Sequence, residues 1–392
     1  MPDGFTLPEH SPLGASSAER WMRCSGSVAL IQALGPIEAD EPDYRRDGTQ
    51  AHALAAHCLN ANCDAWEAMG EFDAISAEMA DAVQVYLNYV RSLGGDRYVE
   101  HRVHRPEFHP QFYGTVDFAA VSRVNEATEI VDYKHGVGVV VEARDNPQLK
   151  YYAYGFIGDG PTADLPVMDG ETVKLTIVQP RALWHPDGVI RSWETTAGDI
   201  RRWAREVLRP AMERAGEQSF ELGEHCRFCP AKLVCPAMRH LASDAAMAQH
   251  ETASADRLLS VSDNWLGDWF KRLSVLNMFI SAVEQETYRR LIQGDHPALG
   301  AYAKLVARRS DRVFKEGAPV EERFGPDAFV TRLRSVAEIE KLPGGKEFVA
   351  EYAYKPDTGL TAVSLSDRRP AVAVLSTEEK FQKGIDKLAS AG

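Results

Sequence analysis

The chain has 392 residues, with 44 Lys and Arg against 57 Asp and Glu, a formal charge of −13 at pH 7. Hydrophobic content of 44% and charged content of 26% describe a globular protein long enough for one large domain and an appendage. The acid excess excludes a basic protein that coats nucleic acid without preference, and no apolar run is long enough for a bilayer, so no membrane partner is expected.

Met1 to His10 carries no basic stretch followed by an apolar run, so no secretory signal is read there and a cytoplasmic location is expected. Ser16-Ser17-Ala18-Glu19 has the form of a capping box and predicts a helix carrying Trp21, Cys24 and Val28 along one face. A second helix is expected to begin around Asp47 to Thr49 and to carry His52, while His57, five residues on, points elsewhere. Residues 74–93, apolar at Ile75, Met79, Val83, Leu87 and Val90 and closed by Gly94-Gly95, predict an amphipathic helix. Tyr98 to Val103 predicts a short strand containing Glu100.

Residues 114–152 are the most informative. Thr115, Asp117 and Ala119 share one face of a predicted strand, and the polar turn from Ser122 to Ala127 predicts a hairpin with the strand bearing Asp132 and Lys134. Pairing would bring Asp117 and Asp132 together with Lys134 beside them, a site for a hard cation with an ammonium attached. A solvated edge face is the plainer reading of Asp-x-Lys taken alone. Asn146-Pro147 reads as N-cap and first helical residue, which sets Gln148 and Tyr152 one turn apart; Leu149, Tyr152 and Phe156 would also serve as a packed face. Basic candidates for contact with a nucleic-acid backbone are Arg45, Arg46, Arg144 and Lys150, each equally an ordinary surface charge. Strands at Thr172 to Gln179 and Val189 to Thr195, then a helix from Asp199 to Glu217, complete an alternation that places the domain in the α/β class.

Cys226, Cys229 and Cys235 are spaced C-x₂-C-x₅-C, which in a reducing compartment reads as metal ligation and calls for a fourth ligand. Four thiolates suit iron–sulfur or zinc equally by ligand softness. Cys58 and Cys63 are left as a buried small residue and a loop thiol. Small polar residues at 243–256 predict a linker, and from Arg257 to Ile292 an apolar stripe through Leu258, Trp265, Leu266, Trp269, Leu273, Leu276 and Ile280 predicts one or two helices, packed in a core or forming an oligomer interface. A strand is expected at Tyr302 to Ala307, followed by Arg308, Arg309 and Arg312, which would meet either DNA or solvent. The expected division is 1–242, a linker at 243–256, an accessory α+β region at 257–376 and a polar tail at 377–392.

His52, Asp117, Asp132, Lys134, Gln148 and Tyr152, in that order, resemble the motif series of the PD-(D/E)XK nucleases of the RecB-like branch, over roughly the first 240 residues. The resemblance implies a restriction-endonuclease-like core, a small mixed sheet flanked by helices, with a mainly helical C-terminal appendage. It implies Mg²⁺ or Mn²⁺ held by His52, Asp117 and Asp132, with Gly48 and His52 matching the family's Gly-x-x-x-His. Lys134 would drive hydrolysis, Gln148 and Tyr152 would position the strand, and Glu100 is a second-rank acidic candidate. One cysteine before these motifs and three after them is similar to the layout of AddB and of CRISPR-associated exonucleases. That likeness implies that Cys24, Cys226, Cys229 and Cys235 hold a structural [4Fe–4S] cluster, with Zn²⁺ as the alternative. The sequences Ala18-Glu19-Arg20-Trp21, Cys24 and Ser366-Asp367-Arg368-Arg369-Pro370-Ala371 are similar to an uncharacterised phage and prophage family over nearly the whole chain. The expected function is a metal-dependent exonuclease on linear DNA with ends, in phage recombination or DNA-end processing, with a recombination protein as partner. The alternative is a nucleic-acid-binding or assembly module without turnover.

Overall fold

Strand-forming residues at alternating positions build one five-stranded sheet in the order β1 (Asp96–His104), β2 (Tyr113–Ser122), β3 (Ala127–Tyr133), β4 (Thr172–Val178) and β5 (Ile190–Thr196). Neighbours are antiparallel except β3 and β4, which run parallel. The predicted hairpin is present, with Ser122 opposite Ala127 and Phe118 opposite Val131. A parallel pair needs a crossover, and the chain between β3 and β4 contains the predicted Asn146-capped helix. The computed structural model describes residues 11–35, 43–72, 75–160, 165, 167–247, 262–308, 312–315, 317–329, 333–354, 356, 359–364, 370–373 and 382. Expectations for residues 1–10, for linker residues 248–256, for Leu258 and Arg309, for residues 366–369 and for nearly all of the tail lie outside the described residues.

Helices α1 (Ala18–Arg23), α2 (Gly26–Leu34), α3 (Asp43–Ala61), α4 (Ala65–Ala68), α5 (Ala77–Ser92), α6 (Pro147–Ile157), α7 (Ala197–Trp203) and α8 (Arg209–Glu213) flank the sheet. On one side Leu54, Val83, Tyr86 and Leu87 pack on Phe118, Val131 and Tyr133. On the other, Trp21, Leu149, Tyr151 and Ile200 pack on Ala119, Ile130 and Leu175. Each such side chain contributes about 1.5–3 kcal/mol by burial. The result is mixed α/β, and no helix among the described residues is long and apolar enough to cross a membrane.

Several local expectations need correction. Ser17 makes no side-chain cap; its hydroxyl donates back to the Gly14 carbonyl, and the chain enters α1 through a 3₁₀ turn, Ala15–Ser17. The single helix through Trp21, Cys24 and Val28 is two helices, because Cys24 leaves helical geometry at φ −118°, ψ 84°. The break is tertiary in origin: the Gly26 amide donates to the Ser219 carbonyl at 2.9 Å, pulling this segment onto the far end of the domain. The His52 helix starts by Asp43, a turn earlier than expected. The helix expected from Asp199 to Glu217 runs from Ala197 to Glu213 with a π turn at Ala204–Leu208, since Pro210 has no N–H to continue the ladder.

Gly26 sits so close to Phe220 that a Cβ would lie 2.5 Å from the ring. Gly26→Ala should therefore destabilise the domain by about 1–3 kcal/mol, the range for overpacking. Thermal melting against wild type measures it, and an unchanged midpoint would show that Phe220 moves freely.

The chain divides into compact units at Met278 and Phe279. This boundary lies inside α10 (Asp263–Gln293), one continuous 31-residue helix. Residues 243–247 instead close α9 (Pro236–Met247), their alanines favouring helix over linker. In the second unit β6 (Ala303–Ala307) pairs with β9 (Leu360–Ser364) and β7 (Val313–Phe314) with β8 (Ala353–Tyr354), beside a core of Val320, Ile339, Phe348 and Val349. Arg308 donates to the Leu360 carbonyl and Arg312 pairs with Glu340, so both serve this unit internally.

Candidate metal and thiol sites

Asp117 and Asp132 lie just beyond the last paired residues of the β2–β3 hairpin, Phe118 and Val131. There the Asp117 carboxylate substitutes for a strand partner: its Oδ2 accepts the Tyr133 amide at 2.9 Å. The same oxygen stands 3.5 Å from His52 Nδ1, delivered by α3. Glu100 approaches from β1. Val99 pairs with Phe118 and His101 with Val116, and between them Glu100 takes φ +47°, a left-handed conformation that costs a residue with a Cβ about 1–3 kcal/mol. Donor atoms of His52, Glu100 and Asp117 all lie within 4.8 Å of one another. Two carboxylates and an imidazole at that spacing suit a hard divalent ion.

Asp132 is buried, 2% exposed, and belongs to an adjoining cluster. Gln148 Nε2 donates to its Oδ1 at 2.7 Å, Lys134 Nζ donates to Gln148 Oε1 at 2.9 Å, and Lys134 Nζ lies 2.8 Å from Asp132 Oδ2. That last contact is an ion pair out of line for a hydrogen bond, which leaves Oδ2 without one. The α6 helix fixes Gln148, because the Asn146 side chain accepts from the Gln148 and Leu149 amides as the sequence predicts. Both ends of the Gln148 amide are taken within this cluster, and Tyr152, one turn on along α6, is buried.

The electrostatics of the site are those of carboxylates short of a cation. Partial burial, followed by the charge of Asp117, pushes the Glu100 carboxyl up to about 7. Burial raises Asp132 too, against the pull of Lys134. A carboxyl whose folded pKa is raised binds protons more readily in the native state, so its contribution to stability falls as pH rises from about 4.5 through 7. In EDTA, wild-type protein should lose more thermal stability between pH 5.5 and 8 than Glu100→Gln, and Mn²⁺ should remove the difference. Parallel melting curves for the two proteins would show that Glu100 is not part of the cluster.

Other expected residues lie apart from the site chemistry. His57 pairs with Glu71 and packs on Phe72, and Lys150 pairs with Asp145 over Trp193 and Trp203. Arg45, Arg46 and Arg144 are exposed. His135, immediately after Lys134, was not anticipated. It is buried and held neutral, its pKa lowered to about 4 by burial and Arg181, with Tyr133 Oη 2.9 Å from its Nδ1. Its place next to Asp-x-Lys was the available signal.

Cys24, Cys226, Cys229 and Cys235 are free, buried and line one cavity with Arg20 and His225. Cys24 and the 226–235 loop meet because Gly26 bonds Ser219, and Ser25 accepts from the Gly216 amide. Burial would raise the Cys24 thiol, but His225 and backbone groups at Glu221 and Ser27 outweigh it and bring the pKa down; burial raises Cys229 and Cys235. Zinc–thiolate bonds of about 2.3 Å in a tetrahedron put sulfurs about 3.8 Å apart. Among the described residues, no three of these thiols come within 4.8 Å of one another. His225 was also missed by sequence reasoning, its signal being its position directly before Cys226. The sequence profile of the family described as "Protein of unknown function (DUF2800)" matches residues 10–370, and the chain belongs to that family.

Proposed function

We propose that this protein is a divalent-metal-dependent deoxyribonuclease of the PD-(D/E)XK type, with a restriction-endonuclease-like core, that degrades DNA from ends in a reducing, cytoplasmic setting. The observation that carries the reading is the abutment of a His52, Glu100 and Asp117 donor set with the buried Asp132, Lys134 and Gln148 cluster at one end of the sheet. Bound Mg²⁺ or Mn²⁺ would supply a more acidic water and neutralise charge on the phosphate. His52, Glu100 and Asp117 would hold that ion, and Asp132 Oδ2, which has no hydrogen bond, remains able to join them. Asp132 and Gln148 fix the Lys134 ammonium from two sides, so its charge is preorganised where the phosphoryl group becomes more negative in the transition state. Tyr152, buried one turn along the same helix, would help to hold Gln148 in place. Cys24, Cys226, Cys229 and Cys235 would hold a [4Fe–4S] cluster with a structural role, a reading supported by four free, buried thiols lining one cavity. A phage-recombination or end-processing setting, with a partner protein, follows from the same reading.

The test is incubation of anaerobically purified protein with end-labelled linear duplex and with covalently closed circles, in Mn²⁺ or EDTA. Linear DNA should be degraded, circles should survive, and EDTA should stop the reaction. Rapid nicking of circles would replace exonuclease with endonuclease. Binding without cleavage under every divalent ion tried would replace enzyme with binding module.

A further inference from the structure

Helix α3 ends at Ala61 in a cap that brings two cysteines together. Asn62 takes φ 54°, and beyond it the Cys63 amide donates to the Cys58 carbonyl at 3.2 Å, closing a left-handed turn. At a helix end of this kind the donating and accepting residues frequently meet through their side chains as well. Cys58 is fully buried, Cys63 is half-buried, and both pack in the same apolar cluster as Leu54 and Leu87. Burial, then the adjacent Cys63 thiol, push the Cys58 thiol up to about 12. The Arg91 guanidinium, from α5, fixes the arrangement: Nη2 donates to the Cys58 and Cys63 carbonyls, and Nη1 pairs with Asp64.

We infer that Cys58 and Cys63 are a dithiol–disulfide couple, oxidised by small disulfides of the glutathione class. A disulfide spans about 4.4–6.8 Å between Cα atoms, and residues joined by a direct backbone bond stand about 5.5 Å apart in paired strands, so the cap holds these two within bonding reach. Cys63, the accessible sulfur, reacts first. Its thiolate attacks glutathione disulfide, forms a mixed disulfide and releases one glutathione thiolate. Cys58 then gives its proton to solvent and attacks the Cys63 sulfur, which forms the internal bond and releases the second glutathione. Two protein thiols are oxidised and one glutathione disulfide is reduced, with no other reactant. Burial shields Cys58 from direct attack, so it is reached only through Cys63. The couple closes the helix that delivers His52, and it depends on neither the nuclease reading nor the metal–thiolate reading.

The test takes the full chain, purified reduced, through glutathione buffers of rising disulfide content, in native buffer and in concentrated urea. After acid quenching and alkylation, trypsin cuts at Arg46 and Arg91 and releases Asp47–Arg91, which holds Cys58 and Cys63 and no other cysteine. In native buffer the doubly alkylated peptide should give way to one lighter than the dithiol by two hydrogens. The exchange equilibrium should favour that bond at least tenfold more than in urea, about 30 mV for two electrons. Cys58→Ser should stop at a glutathione adduct on Cys63, and Cys63→Ser should leave Cys58 unmodified. Three results would each overturn the inference: an equilibrium no better than in urea, glutathione retained on Cys63 while Cys58 stays open to alkylation, or both thiols alkylated throughout. Glutathione on Cys58 in the Cys63→Ser variant would overturn the order of attack.

Discussion

Lys134→Ala should lower the rate of DNA cleavage by about 10²–10³-fold at saturating Mn²⁺ while DNA and metal affinity stay close to wild type. The ammonium is outside the His52, Glu100 and Asp117 donor set and acts on charge that builds mainly in the transition state. The structure adds a second effect that the sequence alone does not suggest. Lys134 neutralises a carboxylate that is 2% exposed, so its removal leaves Asp132 with Gln148 alone. Breaking a buried pair from one side costs about 3–5 kcal/mol, or forces the orphaned acid to take up a proton. The alanine variant should therefore melt lower as well as turn over more slowly. Lys134→Met combined with Asp132→Asn removes both charges and should recover much of the melting temperature without recovering cleavage. Cleavage at the wild-type rate by Lys134→Ala, or by the double variant, would remove this lysine from the mechanism.

Cys24→Ser should release the metal–sulfur group and destabilise the first unit, although Cys24 is outside the His52, Glu100 and Asp117 donor set. Cys24 and the 226–235 loop are separated by some 200 residues of chain, and a cross-link over that length constrains the unfolded state by about 5 kcal/mol in the loop-closure description. Backbone bonds from Gly26 to Ser219 and from Gly216 to Ser25 would remain, so the ends should fray and not fly apart. The expected result is colourless protein with little iron and a substantially lower melting temperature. It should also show faster proteolysis near Ser25 and Ser219 than near β3. Undiminished iron and stability would mean that Cys24 is a packed core thiol and that the fourth ligand lies elsewhere.

Residues governed by near neighbours were legible in the sequence. Pleat alternation located β2 and β3 and set Asp132 beside Lys134, and Asn146-Pro147 marked the start of α6 to the residue. What failed was fixed by distant contacts. Cys24 leaves its helix because its partners are at the other end of the domain, and no local pattern around Trp21 or Val28 announces that. Glu100 looked like an ordinary strand glutamate, since a left-handed φ in a strand has no composition signal when the residue is not glycine. Gln148 could be placed on a helix face, but its bond to Asp132 depends on the packing of α6 against β3, which no local pattern announces.

The meeting of Ser25 and Gly26 with Gly216 and Ser219 has a consequence for biosynthesis. A ribosome adding about 5–20 residues per second needs about 10–40 s to travel from Cys24 to Cys226. All five strands have been made by Thr196, so the sheet and its carboxylates can assemble while Cys24 still waits as a solitary thiol. If the thiol cavity takes a metal, as proposed, its insertion would be the closing event of maturation, and a cell starved of that metal would accumulate chains whose carboxylate cluster is built and whose two segments have not yet been fastened.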